Sequence, residues 1–122
     1  MADITGAWLG TYWQKEKPTR FEATMVQSGN KISGSILDDG SLGEAHIAGE
    51  VVGRVIQFTK RYVTSSPIAI NYTGEIAQDE QSMQGTWQIS GSDSGQWEAH
   101  RSGDNLLAQF QMRQTEQLSL TK

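Results

Sequence analysis

No cysteine occurs in the 122 residues, so neither a disulfide nor thiol chemistry is available to the chain. That absence fits a reducing compartment. The start, Met1-Ala2-Asp3-Ile4, lacks the basic stretch and apolar run of a signal peptide, and the expected location is cytoplasmic. No apolar run approaches the roughly 20 residues of a membrane helix, so no membrane partner is expected. Basic residues never cluster beyond Lys60-Arg61, and no basic patch alternates with aromatics, which argues against nucleic acid. Two prolines are too few for a proline-rich linker. Two histidines without motif spacing, His46 and His100, argue against a metal centre and are expected to face solvent.

Other chemical motifs are equally sparse. Asp38-Asp39-Gly40 lacks the alternating acids of an EF-hand and is expected to be a turn. Gly91-Ser92-Asp93-Ser94-Gly95 has the glycine spacing of a nucleophile elbow, but an aspartate stands at its centre. No glycine-rich phosphate loop leads from a strand into a helix. No cofactor is implied, no catalytic residue is assigned, and an enzyme is the less favoured expectation.

What the chain has is alternation. Apolar residues recur at every second position almost throughout, the period of a strand. The pattern predicts strands at 7–14, 20–27, 31–37, 44–52, 55–62, 68–76, 82–90 and 95–101, separated by turn-like segments. Connections this short favour a meander. The expected fold is all-β, an eight-stranded antiparallel up-and-down barrel with a short C-terminal segment. The whole chain, 1–122, is expected to be one such domain, with a segment 102–122 after the barrel. Asp104 is suited to cap a short helix there. The alternation Leu106, Ala108, Phe110, Met112 fits a ninth strand almost as well. The segment is expected to dock on the barrel wall over Trp13 or Leu9.

Alternation also assigns faces. Trp8, Tyr12, Phe21, Met25, Ile32, Ile36, Ile47, Val51, Ile56, Phe58, Tyr72, Ile76, Met83, Trp87 and Trp97 share the apolar face, and Lys60, Tyr62, Ile68 and Arg101 fall on it too. Glu22, Thr24, Ser33, Gln57, Thr73, Gln84 and Glu98 share the polar face. Hairpin register offers a check, because directly opposed residues share a face. Two-residue turns at Ser28-Gly29, Gly53-Arg54 and Asp79-Glu80 and a three-residue loop at Ser92-Asp93-Ser94 all keep apolar against apolar. The last of these sets Gly85 opposite Arg101. Glycines at 10, 34, 49, 74 and 85 lie mid-strand on the inner face, where they permit the bends of a narrow barrel.

Gly6-Ala7-Trp8 at the start of the first strand resembles the Gly-x-Trp motif of the calycin superfamily, which includes lipocalins, fatty-acid-binding proteins and avidins. Arg101 stands where lipocalins carry an arginine packed over that tryptophan. The resemblance covers residues 4–101 and implies a barrel closed by Trp8 and Arg101 and, more loosely, a ligand-holding cup. It has limits. The Thr-Asp-Tyr loop motif of lipocalins is absent, and the first strand lacks the Asn and Ser that avidins aim at biotin.

Three functions are expected, in order. The first is an intracellular lipocalin-like barrel that binds a small, partly apolar ligand, an anionic one if Lys60 and Arg101 face it. Its candidate ligand-binding residues are Tyr12, Phe58, Lys60, Tyr62, Tyr72, Trp87 and Trp97. Lys60 also has a plainer expectation, that its ammonium snorkels out of the rim. The second function is a protein-interaction or self-associating barrel with a filled core, including a homo-oligomer. The third is a small-barrel isomerase.

Overall fold

The computed structural model describes residues 2–40, 43–63, 68–89 and 91–102. The expectations for the C-terminal segment, and for its seat over Trp13 or Leu9, lie outside the described residues. Eight strands follow in chain order: β1 (Gly6–Gln14), β2 (Lys17–Ser28), β3 (Lys31–Asp38), β4 (Glu44–Val52), β5 (Val55–Tyr62), β6 (Ala69–Ile76), β7 (Ser82–Gln88) and β8 (Ser94–Arg101). Each pairs antiparallel with the next, and β8 pairs with β1 to close the barrel. The all-β meander is therefore the fold, and the described residues contain no helix.

Faces follow the alternation, and the inner side chains form one continuous core. Register departs from expectation in two hairpins. The second turn is Gly29-Asn30, with Ser28 opposite Lys31, so Met25 faces Gly34. The cause is turn chemistry. Gly29 has φ 62°, as does Gly53 in the Gly53-Arg54 turn. A two-residue turn of this kind needs a positive φ at its first position, which glycine supplies without strain. The last hairpin closes at Gln88–Ser94 across a five-residue loop. Gly85 therefore faces Trp97, and Trp87 faces Gly95. Both slips are even in number, so no side chain changes face. The first hairpin is also tighter than expected, a two-residue turn at Lys15-Glu16.

Two inner glycines show why a barrel this narrow needs them. Gly74 and Gly85 face each other across β6 and β7. A Cβ on Gly85 would stand 1.9 Å from the Thr73 carbonyl oxygen. One on Gly74 would stand 2.8 Å from the Trp97 ring. Their bare backbones admit the indole, whose Nε1 donates to the Thr73 carbonyl at 3.0 Å.

The two barrel ends differ. One end, the base, carries the turns 29–30 and 53–54 and is sealed by residues 2–5. Ile4 and Ala2 are buried there. Gln27 straps them down, accepting from the Ile4 amide and donating to the Ala2 carbonyl, each at 2.9 Å. Trp8 Nε1 donates to the Ile4 carbonyl at 2.9 Å. Arg101, opposite Trp8 in the β1–β8 ladder, lays its guanidinium over the indole with Cζ 4.6 Å from the ring centre. It donates to the carbonyls of Thr5 (2.8 Å), Asp3 (2.7 Å) and Glu80 (3.1 Å). One side chain thus clips the N-terminal strap to the 77–81 turn across the last strand. Arg101→Met keeps most of the apolar stem and loses the fork and its charge. It should lower stability by about 1–3 kcal/mol, the range of a few charge-assisted hydrogen bonds plus a cation–π contact. Urea unfolding followed by tryptophan fluorescence measures it.

Candidate functional site

The opposite end, the mouth, is where the sequence leaves inner polar groups. Tyr12 reaches it from β1, Asp38 from the end of β3, Lys60 and Tyr62 from the end of β5, and Tyr72 from β6. Lys60 lies fully inside, with no exposed surface, and Asp38 is 4 % exposed. The snorkelling expectation for Lys60 is therefore corrected. The ammonium turns inward because a carboxylate meets it: Nζ donates to Asp38 Oδ1 at 2.8 Å and Oδ2 at 2.9 Å. Asp38 was expected in a turn. It instead ends β3 on the inner face, opposite Phe21.

The pair carries its own polar shell. Tyr12 donates its hydroxyl to Asp38 Oδ2 at 3.1 Å, and Tyr62 donates to the same oxygen in a very short bond. The rings of Tyr12, Tyr62 and Tyr72 surround the ammonium at 4.8, 4.9 and 5.7 Å. A buried charge is costly unless paired and hydrogen-bonded, and here both conditions are met. Burial lowers the Lys60 pKa from its ordinary value, and Asp38 opposes the shift. The tyrosines shift the other way. Burial first and Asp38 among the further causes raise the pKa of Tyr12, Tyr62 and Tyr72.

Above this floor lies a small cup of about 160 Å³. Tyr12, Tyr62, Tyr72 and Trp87 form its walls, with Ile68, Ile70, Ile89 and Gln14 towards the rim. Four of the seven candidate residues thus converge on one cavity. Lys60 lies behind the tyrosines. Phe58 and Trp97 do not line the cup. They fill the bore with Tyr72, Phe58 stacked on Tyr72 at 4.8 Å and Trp97 edge-on to both at 5.8 and 5.6 Å. Trp87 stands edge-on to Tyr12 at 6.3 Å, its Nε1 tied to the Trp13 carbonyl at 3.0 Å. Gln14 is held by Asp93, to which its Nε2 donates at 2.8 Å. Ile68, expected within the sixth strand and facing inward, precedes β6 and is 49 % exposed.

A larger concavity, about 1000 Å³, lies on the outer face of β6 to β8. It is the outside of the bend at Gly74 and Gly85, lined by polar side chains such as Glu75, Gln84 and Glu98 and by Trp13. Neither of the buried charged side chains, Asp38 and Lys60, lines it, so the mouth is the stronger site. Among the described residues no cluster of three His, Asp or Glu side chains could hold a metal ion.

Comparison with known proteins extends the fold and stops there. No protein-family model and no curated protein matches the chain. Among solved structures, a redesigned β-barrel superposes with a TM-score of 0.69 at 8 % identity, covering 82 % of this chain and 92 % of its own. A redesigned β-barrel bound to DFHBI gives 0.67 at 9 % identity, covering 80 % and 94 %. A de novo designed fluorescence-activating β-barrel gives 0.63 at 16 % identity, covering 84 % and 100 %. At such identities the likeness is one of architecture.

Two outcomes test the mouth network. Asp38→Asn leaves the Lys60 charge without its counter-ion and should cost about 3–5 kcal/mol, whereas Asp38→Leu with Lys60→Met should recover most of that loss. Guanidinium unfolding of the two proteins decides it. The second outcome concerns alkali. Tyr12, Tyr62 and Tyr72 are all the tyrosines in the chain, and all three are raised. Above pH about 10 the unfolded chain releases protons that the folded one keeps, so stability falls as pH rises. Lys60, shifted down, opposes this with one group against three. Phenolate absorbance at 295 nm should stay absent through pH 10 and then appear together with unfolding. An ordinary titration near pH 10 in folded protein would contradict the network.

Proposed function

We propose that the protein is a binding barrel that holds a small, largely apolar, uncharged molecule in the cup at its mouth. The observation that carries this is the cavity walled by Tyr12, Tyr62, Tyr72 and Trp87, seated on a carboxylate–ammonium pair that is already neutralised. Its size sets the scale of the ligand. Pockets for drug-sized molecules run to about 300–1,000 Å³, whereas an apolar cavity of about 150 Å³ is enough for benzene. A cup of 160 Å³ therefore suits one ring, with any remainder outside the mouth. A long acyl chain has no room, because Phe58, Trp97 and Tyr72 occupy the bore beneath.

The anionic version of the expectation rested on two inward cations. Both are spent: Lys60 on Asp38, and Arg101 on three carbonyls at the far end. A redesigned barrel of the same architecture is bound to DFHBI, which supports a small ligand on a barrel of this kind. Gly-x-Trp and the arginine over Trp8 keep the calycin resemblance, which also fits a ligand-holding cup. The test is fragment titration followed by NMR. One-ring aromatics should shift the Trp87 indole and the Ile70 and Ile89 methyls saturably, leave the Trp8 indole unmoved, and stop binding in Ile70→Trp. Shifts concentrated at the base, or none that saturate, would sink the proposal.

A further inference from the structure

The cup has three hydroxyls on its walls, and their protons have different fates. Tyr12 and Tyr62 both donate to Asp38 Oδ2. Trp87 Nε1 and Gln14 Nε2, also on the lining, donate to the Trp13 carbonyl and to Asp93. Tyr72 differs. It is 2 % exposed, it lines the cup, and its hydroxyl makes no hydrogen bond among the described residues. Every fully enclosed side-chain nitrogen or oxygen there has a partner. An unpaired Tyr72 hydroxyl is therefore one that opens into the cup and is not sealed in the core.

Resting on the binding-barrel reading, we infer that Tyr72 is the hydrogen-bond donor of the cup and that its ligand is a neutral ring compound with an acceptor, such as a ketone, aldehyde or aza-nitrogen, directed at the Tyr72 hydroxyl. Three considerations lead there. Once a ligand fills the cup, a donor left unpaired costs more than an underused acceptor, so the group that gains most is one that accepts its hydrogen bond. The proton stays in place, because burial and the nearby Asp38 charge hold the Tyr72 pKa well above its ordinary value. An anion is disfavoured, since the Asp38 charge acts on the Tyr72 hydroxyl and the Lys60 ammonium is already committed. The ring itself is fixed by its stack on Phe58 at 4.8 Å and by Trp97, so the hydroxyl is aimed before any ligand arrives. Such preorganisation removes part of the ordering cost of binding.

Acetophenone and ethylbenzene test this, since they have nearly the same shape and differ by a carbonyl in place of a methylene. Their affinities are read from the Trp87 indole resonance in the native protein and in Tyr72→Phe. The ratio of acetophenone to ethylbenzene affinity should fall about five- to tenfold in the variant, the worth of one hydrogen bond. Benzoate should bind more weakly than acetophenone to the native protein. The variant keeps the ring and loses a hydroxyl that bonds nothing among the described residues, so its melting temperature should match the native one. A second readout needs no variant: the carbonyl stretch of bound acetophenone should lie below its frequency in an alkane. An unchanged affinity ratio, an alkane-like carbonyl stretch, or preferential benzoate binding overturns the donor assignment and leaves the cup standing. A native protein that takes neither neutral compound overturns the cup and the donor together.

Discussion

Eight strands closed in a ring leave a bore about one layer of side chains wide, and nearly every feature of this protein answers to that width. Large rings fit only where the facing backbone is bare, which is why Trp97 lies against Gly74 and Gly85. Rings must also interlock, so Phe58, Tyr72 and Trp97 stack and abut within 6 Å of one another. Indole N–H groups cannot reach water from such a bore and turn to the carbonyls of Thr73, Trp13 and Ile4. The middle of the barrel is solid for the same reason. Any room for another molecule has to lie at an end.

The ends resolve one problem, an inward cation, in opposite ways. At the base Arg101 spreads its planar fork over three carbonyls and an indole, and the charge becomes a clip. A guanidinium suits this because its donors are fixed in a plane. At the mouth Lys60 has a compact charge and meets one carboxylate. Asp38 Oδ2 accepts from the two nearest tyrosines as well. The third tyrosine lies one strand farther from β5's edge of the network and receives no such partner among the described residues. Reach to Asp38 thus separates the two bonded hydroxyls from the one that finds no partner among the described residues.

Much of this was legible in the sequence, and the limit has a physical form. Parity survives an even slip, so the inner face could be assigned correctly while two hairpin registers were wrong by two and by four positions. Gly29-Asn30 carried the signal for its turn, since a glycine followed by a polar residue suits a two-residue turn with positive φ at its first position. Asp38 was also within reach. It continues the run Ile32, Gly34, Ile36 by the same step of two, and an inward Lys60 demands an inward acid. Ile4 and Ala2 likewise extend the parity of Trp8 into the strap that seals the base. They precede the first strand, where alternation carries no strand signal of its own.

What the sequence could not supply was the difference between Tyr72 and its neighbours. All three tyrosines alternate inward, and each has the same hydroxyl. Their roles separate only when β1, β3, β5 and β6 are set around one bore, because the decisive fact is which oxygen reaches Asp38. Packing and hydrogen bonding also pull apart at this residue. The ring of Tyr72 is buried, stacked on Phe58 and against Trp97, whereas its oxygen contributes nothing to those contacts. Phenylalanine would serve the core equally well. A hydroxyl that stability does not need, carried on a ring that stability holds still, is how a rigid barrel presents one polar group to an apolar cup.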